Sequence, residues 1–519
     1  MLDPRGRLLR AALGFAGLPR PSYDHALWAL RCWLNSWSGI GLIAVGMHRQ
    51  GFDLQLTQYD DRGWPSYARW RTVLALLALS LALAVRVAAQ EPPGPLQEVA
   101  AAVERPQRCS TPANPHRLYF ECVGQQIDFF AETLTKDLAG FRSELRTLGI
   151  TPIASYTAQF LGNPSGGQSR GFTYAGTFQA SITWDASKVL PTPGLSFNVG
   201  AAWSTGRSLS ADYIGNVFSV QSAYTVPNGG TNDVTLGPLY LQQLLLEDSL
   251  TLAVGRLAPA STFATLPVFN NYINGAINAN PGSLGVNDSS FTSYPPGVEW
   301  GAQGIYYLTA RLQVAAGIFN TNPEAAAGAD RGHNFAFRNG NSGVLSILQA
   351  TYLFNHTTGD PGLPGLYTIG GFYDGNDFTN LARPGTTERG SYSVYAMLQQ
   401  MVYREGGPRS RKGLTMWGEA TLAPRFSVST LSFLVGGGLS YRGLIPGRGD
   451  DIASLAAISG SFSRHVPRAT AETVIEANYQ IAVRGWLSIT PDLQYVILPG
   501  GSSAVGNAFV LGTQVAISF

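Results

Sequence analysis

The chain has 519 residues, of which 13% are charged and 11% aromatic, with 60 glycines and a formal net charge of +2. A charged share of about half the globular norm, a mean hydropathy of +0.03 and no basic patch exclude a nucleic-acid binder, a helical membrane bundle and a disordered chain. Ten Arg and five Asp precede residue 90, which leaves 25 basic and 28 acidic residues for the remainder.

Taken from the amino terminus, residues 69–71 (RWR) lead into an apolar run at 72–85, and Val87, Ala88 and Ala89 stand before Gln90. A basic n-region, a short apolar h-region and small residues at −3 and −1 predict a secretory signal over 69–89. Residues 1–68 precede it and hold a Trp-rich apolar stretch at 26–47 broken by Arg31. Two readings of them stay open: an upstream extension that is never made, or a real one with a membrane-associated helix. Residues 90–148 read as a periplasmic segment. Cys109 and Cys122 lie in it with twelve residues between them. In an exported chain they could form a disulfide or remain two free thiols, and no second Cys/His pair supports zinc. Within 127–148, Phe130, Leu134, Leu138, Phe141 and Leu145 recur every three or four residues. That spacing predicts a short amphipathic helix stopped by Gly149.

From Ile150 the period becomes two. Phe172, Tyr174, Phe178, Ile182 and Trp184 alternate with Thr173, Thr177, Gln179, Ser181 and Thr183. The pattern recurs at 195–203, 312–318, 392–398, 475–481 and 487–497, and it closes the chain at 509–519 (FVLGTQVAISF). Such strands fit either a soluble sandwich or a membrane barrel, because periodicity does not say which face is inside. The signal, the terminal Phe519 and the near absence of helical pattern across 150–519 favour the barrel. The fold class expected is therefore all-β, a closed antiparallel transmembrane barrel of about sixteen strands over 149–519. Closure follows from hydrogen bonding, since an open edge in hydrocarbon would strand N–H and C=O groups.

Several pieces resemble the carbohydrate-selective porin (OprB) family: residues 148–156 (LGITPIASY), 174–185 (YAGTFQASITWD) with 193–197 (PGLSF), and 254–257 (VGRL). The most specific are 472–479 (ETVIEANY) followed by 491–501 (PDLQYVILPGG). The resemblance implies a sixteen-stranded barrel in the outer membrane of a Gram-negative bacterium that passes monosaccharides such as glucose down a gradient. It implies no cofactor, and it leaves a homo-oligomer open. Segments 208–232 and 323–341 depart from the family pattern.

No phosphate loop, metal spacing or nucleophile elbow appears, so an enzyme is not expected. A sugar pore needs hydrogen-bonding groups and an aromatic face at a constriction. The polar strand faces offer Glu476, Asn478, Asp492 and Gln494 on two neighbouring strands, Trp417 with Glu419, and Glu299 with Gln303. Asp185 and Arg311 each end a polar face. Arg256 is also a candidate for the path: strict alternation puts it on the apolar side with Leu252 and Val254, so it is expected just past the strand end, turned into the lumen or into a loop. The Asn-rich segment 257–295 is the candidate for a loop folding into the pore, or else a plain surface loop. Mixed acids and bases along this face argue against strict anion selectivity. A pore for anions or organic acids is the second reading, and an outer-membrane barrel hydrolase the third.

Overall fold

The computed structural model describes residues 133–223, 233–291, 298–321, 332, 335–337, 343–356, 360, 362–407 and 410–519, together with the backbone of 44–48 and 51–55. The chain divides into Met1–Leu76 and Leu77–Phe519. In the first unit Ala44–His48 and Gly51–Gln55 pair as an antiparallel hairpin. The predicted signal at 69–89 and the Cys109–Cys122 pair lie outside the described residues.

The second unit carries a barrel. Its first eight strands are β1 (Ile150–Gly167), β2 (Gly171–Asp185), β3 (Leu195–Gly206), β4 (Asp233–Leu245), β5 (Leu250–Leu257), β6 (Glu299–Thr309), β7 (Leu312–Thr321) and β8 (Gly343–Phe354). The rest are β9 (Gly365–Thr379), β10 (Thr387–Arg404), β11 (Gly413–Leu422), β12 (Leu431–Arg442), β13 (Ile452–Phe462), β14 (Ala471–Arg484), β15 (Leu487–Ile497) and β16 (Gly506–Ser518). Each pairs antiparallel with its sequence neighbours, and β16 pairs with β1 to close the ring. At the seam Ser518 stands opposite Ser155, and the Phe519 amide donates to Ala154 O at 2.9 Å. Two bulges near Phe509 adjust the register there. The ladder has no free edge, as a barrel in lipid requires.

Faces follow from register. Gln159 reaches the segment at 222–223, inside the ring, and it pairs with Ala175 on β2 and Gln514 on β16. Its alternation therefore marks the lumen side all the way round. The opposite face holds large exposed apolar side chains, including Leu252, Val254, Ile318, Leu348, Ile369, Val394, Leu493 and Leu511. An apolar outside and a polar inside invert the soluble arrangement and make the outer wall a lipid surface. The ambiguity of the alternating runs is resolved in this way.

Connections at one end are short, such as 246–249, 310–311 and 485–486, and the N-terminal segment enters there. The other end carries the long segments 207–232, 258–298 and 322–342. Short turns on the periplasmic side and long loops outside are the usual barrel polarity.

The predicted helix over 127–148 is largely absent from its described part, 133–148. Among its described residues only α1 (Phe141–Thr147) is helical, and residues 134–140 are turns with Lys136, Leu138, Ala139 and Gly140 at positive φ. Residues 127–132 lie outside the described set. Leu134, Leu138 and Phe141 are exposed rather than packed. The segment is held by polar contacts instead: Arg142 donates to Phe519 O at 2.6 Å and to Thr133 Oγ1 at 2.9 Å, and the Leu134 amide donates to Ser518 O. Helical spacing here did not mark a buried stripe, because tertiary hydrogen bonds to the closing strand set the local path.

Candidate functional site

Two connections fold into the ring instead of away from it. The first, 208–223, carries a turn of π-helix at Ser210–Ile214. The second, 258–291, carries short 3₁₀ turns and α2 (Gly282–Asn287). Phe218, Phe263, Phe269, Tyr272, Ile273 and Phe291 in them are at most 2% exposed. Burying each such side chain contributes about 1.5–3 kcal/mol, which holds the segments on the wall. They also touch one another: the Ser222 amide donates to Ile273 O at 3.0 Å and the Gly275 amide to Ser219 O at 2.7 Å.

The wall grips the second segment through polar groups spread from β6 to β15. Gln303 Nε2 donates to Thr262 Oγ1 at 2.9 Å, and the Ala264 and Val268 amides donate to Gln349 Oε1 and Gln399 Oε1. Ser283 Oγ and Thr421 Oγ1 lie 2.5 Å apart, and Asn287 exchanges hydrogen bonds with the Leu431 backbone. The Asn-rich stretch is thus a pore-filling loop, and its asparagines satisfy backbone groups that would otherwise be buried unpaired.

The aromatic part centres on Trp417. Its Nε1 donates to Tyr272 Oη at 2.8 Å, and its ring meets Phe269 and Tyr272 edge-on at 5.2 and 5.5 Å. Tyr272 Oη is in turn 3.0 Å from Leu439 O. Space for this cluster comes from the run Gly436–Gly438 of β12: a Cβ on Gly438 would stand 2.8 Å from both Trp417 Nε1 and Tyr272 Oη. Trp417→Ala is expected to cost about 3–5 kcal/mol, because it opens a cavity and strips Tyr272 of its donor. Thermal unfolding in detergent checks this; an unchanged midpoint counts against the hub.

Glu476 Oε1 accepts from the Ile273 amide at 2.7 Å and from Asn478 Nδ2 at 2.8 Å, and its Oε2 accepts from the Asn274 amide at 3.0 Å. Asn478 Nδ2 also reaches Asn271 O at 3.0 Å. Gln494 receives Asn274 Nδ2 at 2.8 Å and donates to Val220 O and Asp492 Oδ2. Asp492, opposite Asn478 in register and 2% exposed, belongs to the same buried cluster. Glu419 and Glu299 face inward beneath the second segment, each 2% exposed.

Three predicted residues lie elsewhere. Asp185 caps the turn Ala186–Lys188 at the periplasmic rim, accepting from the Ser187 amide at 3.1 Å. Arg311 sits in the β6–β7 turn, 3.1 Å from Asp360. Arg256 is not past the strand end and does not turn into the lumen: it lies within β5 with its side chain on the outer face, where strict alternation puts it. It is only 2% exposed because Gly332, Val298 and Phe335 cover it: its guanidinium donates to Gly332 O and Val298 O and lies 5.2 Å from the Phe335 ring. A cation beside lipid is tolerated because backbone carbonyls and an aromatic face replace water.

What remains open is the opposite wall. Ser155 and Thr157 on β1, Gln179, Ser181 and Thr183 on β2, Ser196 and Asn198 on β3, Gln242 on β4 and Gln514 on β16 point inward and keep solvent access. Inward side chains from β7 to β15 are, by contrast, mostly buried beneath the two segments. The residual passage therefore runs along β16 and β1–β4, between hydroxyls and amides, with charge only at the rims among the described residues. Sequence reading recorded the polar face of 173–185 but singled out Asp185 for its charge, and passed over the neutral residues beside it. The available signal was the repetition of Thr, Gln, Ser and Thr at every second position.

Comparison with known proteins agrees with this arrangement. A family model described as "Carbohydrate-selective porin, OprB family" matches residues 169–519. Porin B of Pseudomonas aeruginosa is 24% identical over 435 residues, covering 74% of this chain and 90% of that protein. A high-pH structure of Pseudomonas putida OprB superposes with a TM-score of 0.68 at 22% identity, covering 75% of this chain and 98% of that one. A low-pH structure of the same protein gives 0.50 at 18% identity. The closed sixteen-stranded barrel, its lipid-facing outer wall and the match over 169–519 lead to one conclusion: the chain belongs to the carbohydrate-selective porin, OprB family, whose members are channels of the Gram-negative outer membrane.

Proposed function

We propose that the passage along β16 and β1–β4 carries neutral sugars of monosaccharide size down their gradient. The supporting observation is the chemistry of the open wall: among the described residues its solvent-reaching polar side chains are mostly Ser, Thr, Asn and Gln, beside Tyr240 and the apolar Ile153, and no acid or base stands between the rims. Such groups donate to and accept from sugar hydroxyls, and they replace water one bond at a time without holding the solute tightly. Ions gain little there, because a neutral wall offers no countercharge to repay desolvation. The earlier candidates Glu476, Asn478, Asp492, Gln494, Trp417 and Glu419 act in this reading by shaping the passage rather than by touching solute.

Liposome swelling with purified protein is expected to show rapid entry of glucose-sized neutral sugars and slow entry of organic anions of equal size. Replacing Gln179 and Asn198 together by Leu is expected to slow sugar entry several-fold, because the wall loses two groups that exchange hydrogen bonds with the solute. Preferred entry of anions would overturn the proposal, and equal sugar rates in wild type and variant would move the path elsewhere.

A further inference from the structure

Two glutamates on β14 each bind a different inward-folded segment by its backbone. Glu472 Oε1 accepts from the Phe218 amide at 2.7 Å, and its Oε2 accepts from the Val217 amide at 2.8 Å and the Gly500 amide at 2.7 Å. Glu476 does the same to Ile273 and Asn274, at 2.7 and 3.0 Å. Both carboxyls are fully buried, and among the described residues no ion pair joins either to a Lys or Arg. Four residues along a strand is about 13 Å, and an even spacing keeps both side chains on one face.

The surroundings fit this use. Gly460 stands opposite Glu472 on β13, and a Cβ there would come within 2.5 Å of the Phe218 ring. Ala456, similarly small, stands opposite Glu476. A buried carboxyl is costly unless hydrogen-bonded, so each has one low-energy arrangement: both oxygens on successive amides of its segment.

We propose that Glu472 and Glu476 are the positioning residues that set the bore, a two-point staple in which one seats the segment at 208–223 and the other the segment at 258–291. The inference rests on reading the chain as a pore and adds to it the device that fixes the pore's width. The two points are coupled, because the segments are joined at Ser222–Ile273 and at Ser219–Gly275. Losing either glutamate loosens both segments, so the effects of two replacements are less than additive.

Glu476→Gln keeps the shape but turns an NH₂ group toward a backbone N–H, since each carboxyl oxygen already serves its own amide. Single-channel conductance in potassium chloride is expected to rise several-fold in E476Q and in E472Q, with little further increase in the double variant. Heat-resistance of the barrel on a gel is expected to stay as in wild type. Ion conductance reads the bore whatever solute is carried, so failure of the sugar proposal and failure of the staple give different results.

A cross-link separates positioning from general folding. Ser283 Oγ and Thr421 Oγ1 lie 2.5 Å apart. In a background without Cys32, Cys109 and Cys122, Ser283→Cys with Thr421→Cys can pin the second segment by a disulfide. Added to E476Q, the oxidised form is expected to restore wild-type conductance, and reduction to raise it again. Wild-type conductance in E476Q and in the double variant overturns the staple. If E476Q alone does not assemble, the cross-linked form decides: a conductance that rises on reduction supports the staple, and failure to assemble or no change on reduction overturns it.

Discussion

Replacing 259–290 by a short Gly/Ser linker is expected to raise single-channel conductance several-fold and to abolish discrimination among sugars, while the barrel still closes. Leu257 and Glu299 are register partners at the ends of β5 and β6, so a hairpin-length connection can join them. None of the sixteen strand pairings passes through the excised segment. The variant loses the burial of Phe263, Phe269, Tyr272 and Ile273, each about 1.5–3 kcal/mol. It exposes Glu476, Gln494, Gln349 and Gln399, which water filling the lumen can satisfy. Stability should therefore fall without loss of the fold, because the continuous backbone ladder is unchanged. Planar-bilayer recording measures the first effect and swelling with sugars of graded size the second. A conductance equal to wild type would mean that the segment does not narrow the passage.

The parts legible in the sequence were those governed by local alternation. Ile150 begins the first strand, and the run at 172–184 lies within β2. The polar and apolar sets of 392–398 and 475–481, and the pair Trp417 and Glu419, fall on the faces that alternation assigned. Even Arg256 obeyed the rule that first made it look misplaced. What alternation does not encode is which portion of a polar face stays wet. Glu472 meets Val217 across 255 positions and Glu476 meets Ile273 across 203. The emptiness of the bore beside β1–β4 is thus decided by segments remote in the chain. Charge drew attention to Glu476, Asp492 and Glu419, yet a buried carboxyl hydrogen-bonded to a loop and a solvated carboxyl on a wall look alike one residue at a time. The ETVIEANY piece that marked the family most specifically is the strand that holds both inward segments. There the family signal and the architecture coincide.

Raising the pH from mildly acidic to about 8 is expected to loosen the second segment and to increase conductance and its noise. Asp288, in that segment and 2% exposed, faces the Asp374 carboxyl on β9. Burial first, and then the neighbouring Asp374 carboxyl, push Asp288 up from 3.8 to about 8. The groups around the pair are neutral: Ser290 and its amide serve Asp288, while Thr321 and Asn376 serve Asp374. The docked segment therefore keeps a proton that the released segment gives up near the ordinary aspartate value. Docking is strongest below pH 3.8 and weakens through the interval up to about 8, by at most about 1.4 kcal/mol per pH unit for one proton. Above that interval two charges face each other with no cation between them, and the dependence flattens. Asp288→Asn keeps the shape beside Asp374 but cannot ionise, so its conductance should lose the pH slope seen in wild type. An equal slope in wild type and D288N would remove Asp288 as the origin of any pH response. With the pH slope gone and the resting conductance unchanged, the pair would act only as a latch on the segment, leaving the width of the bore to the glutamates of β14.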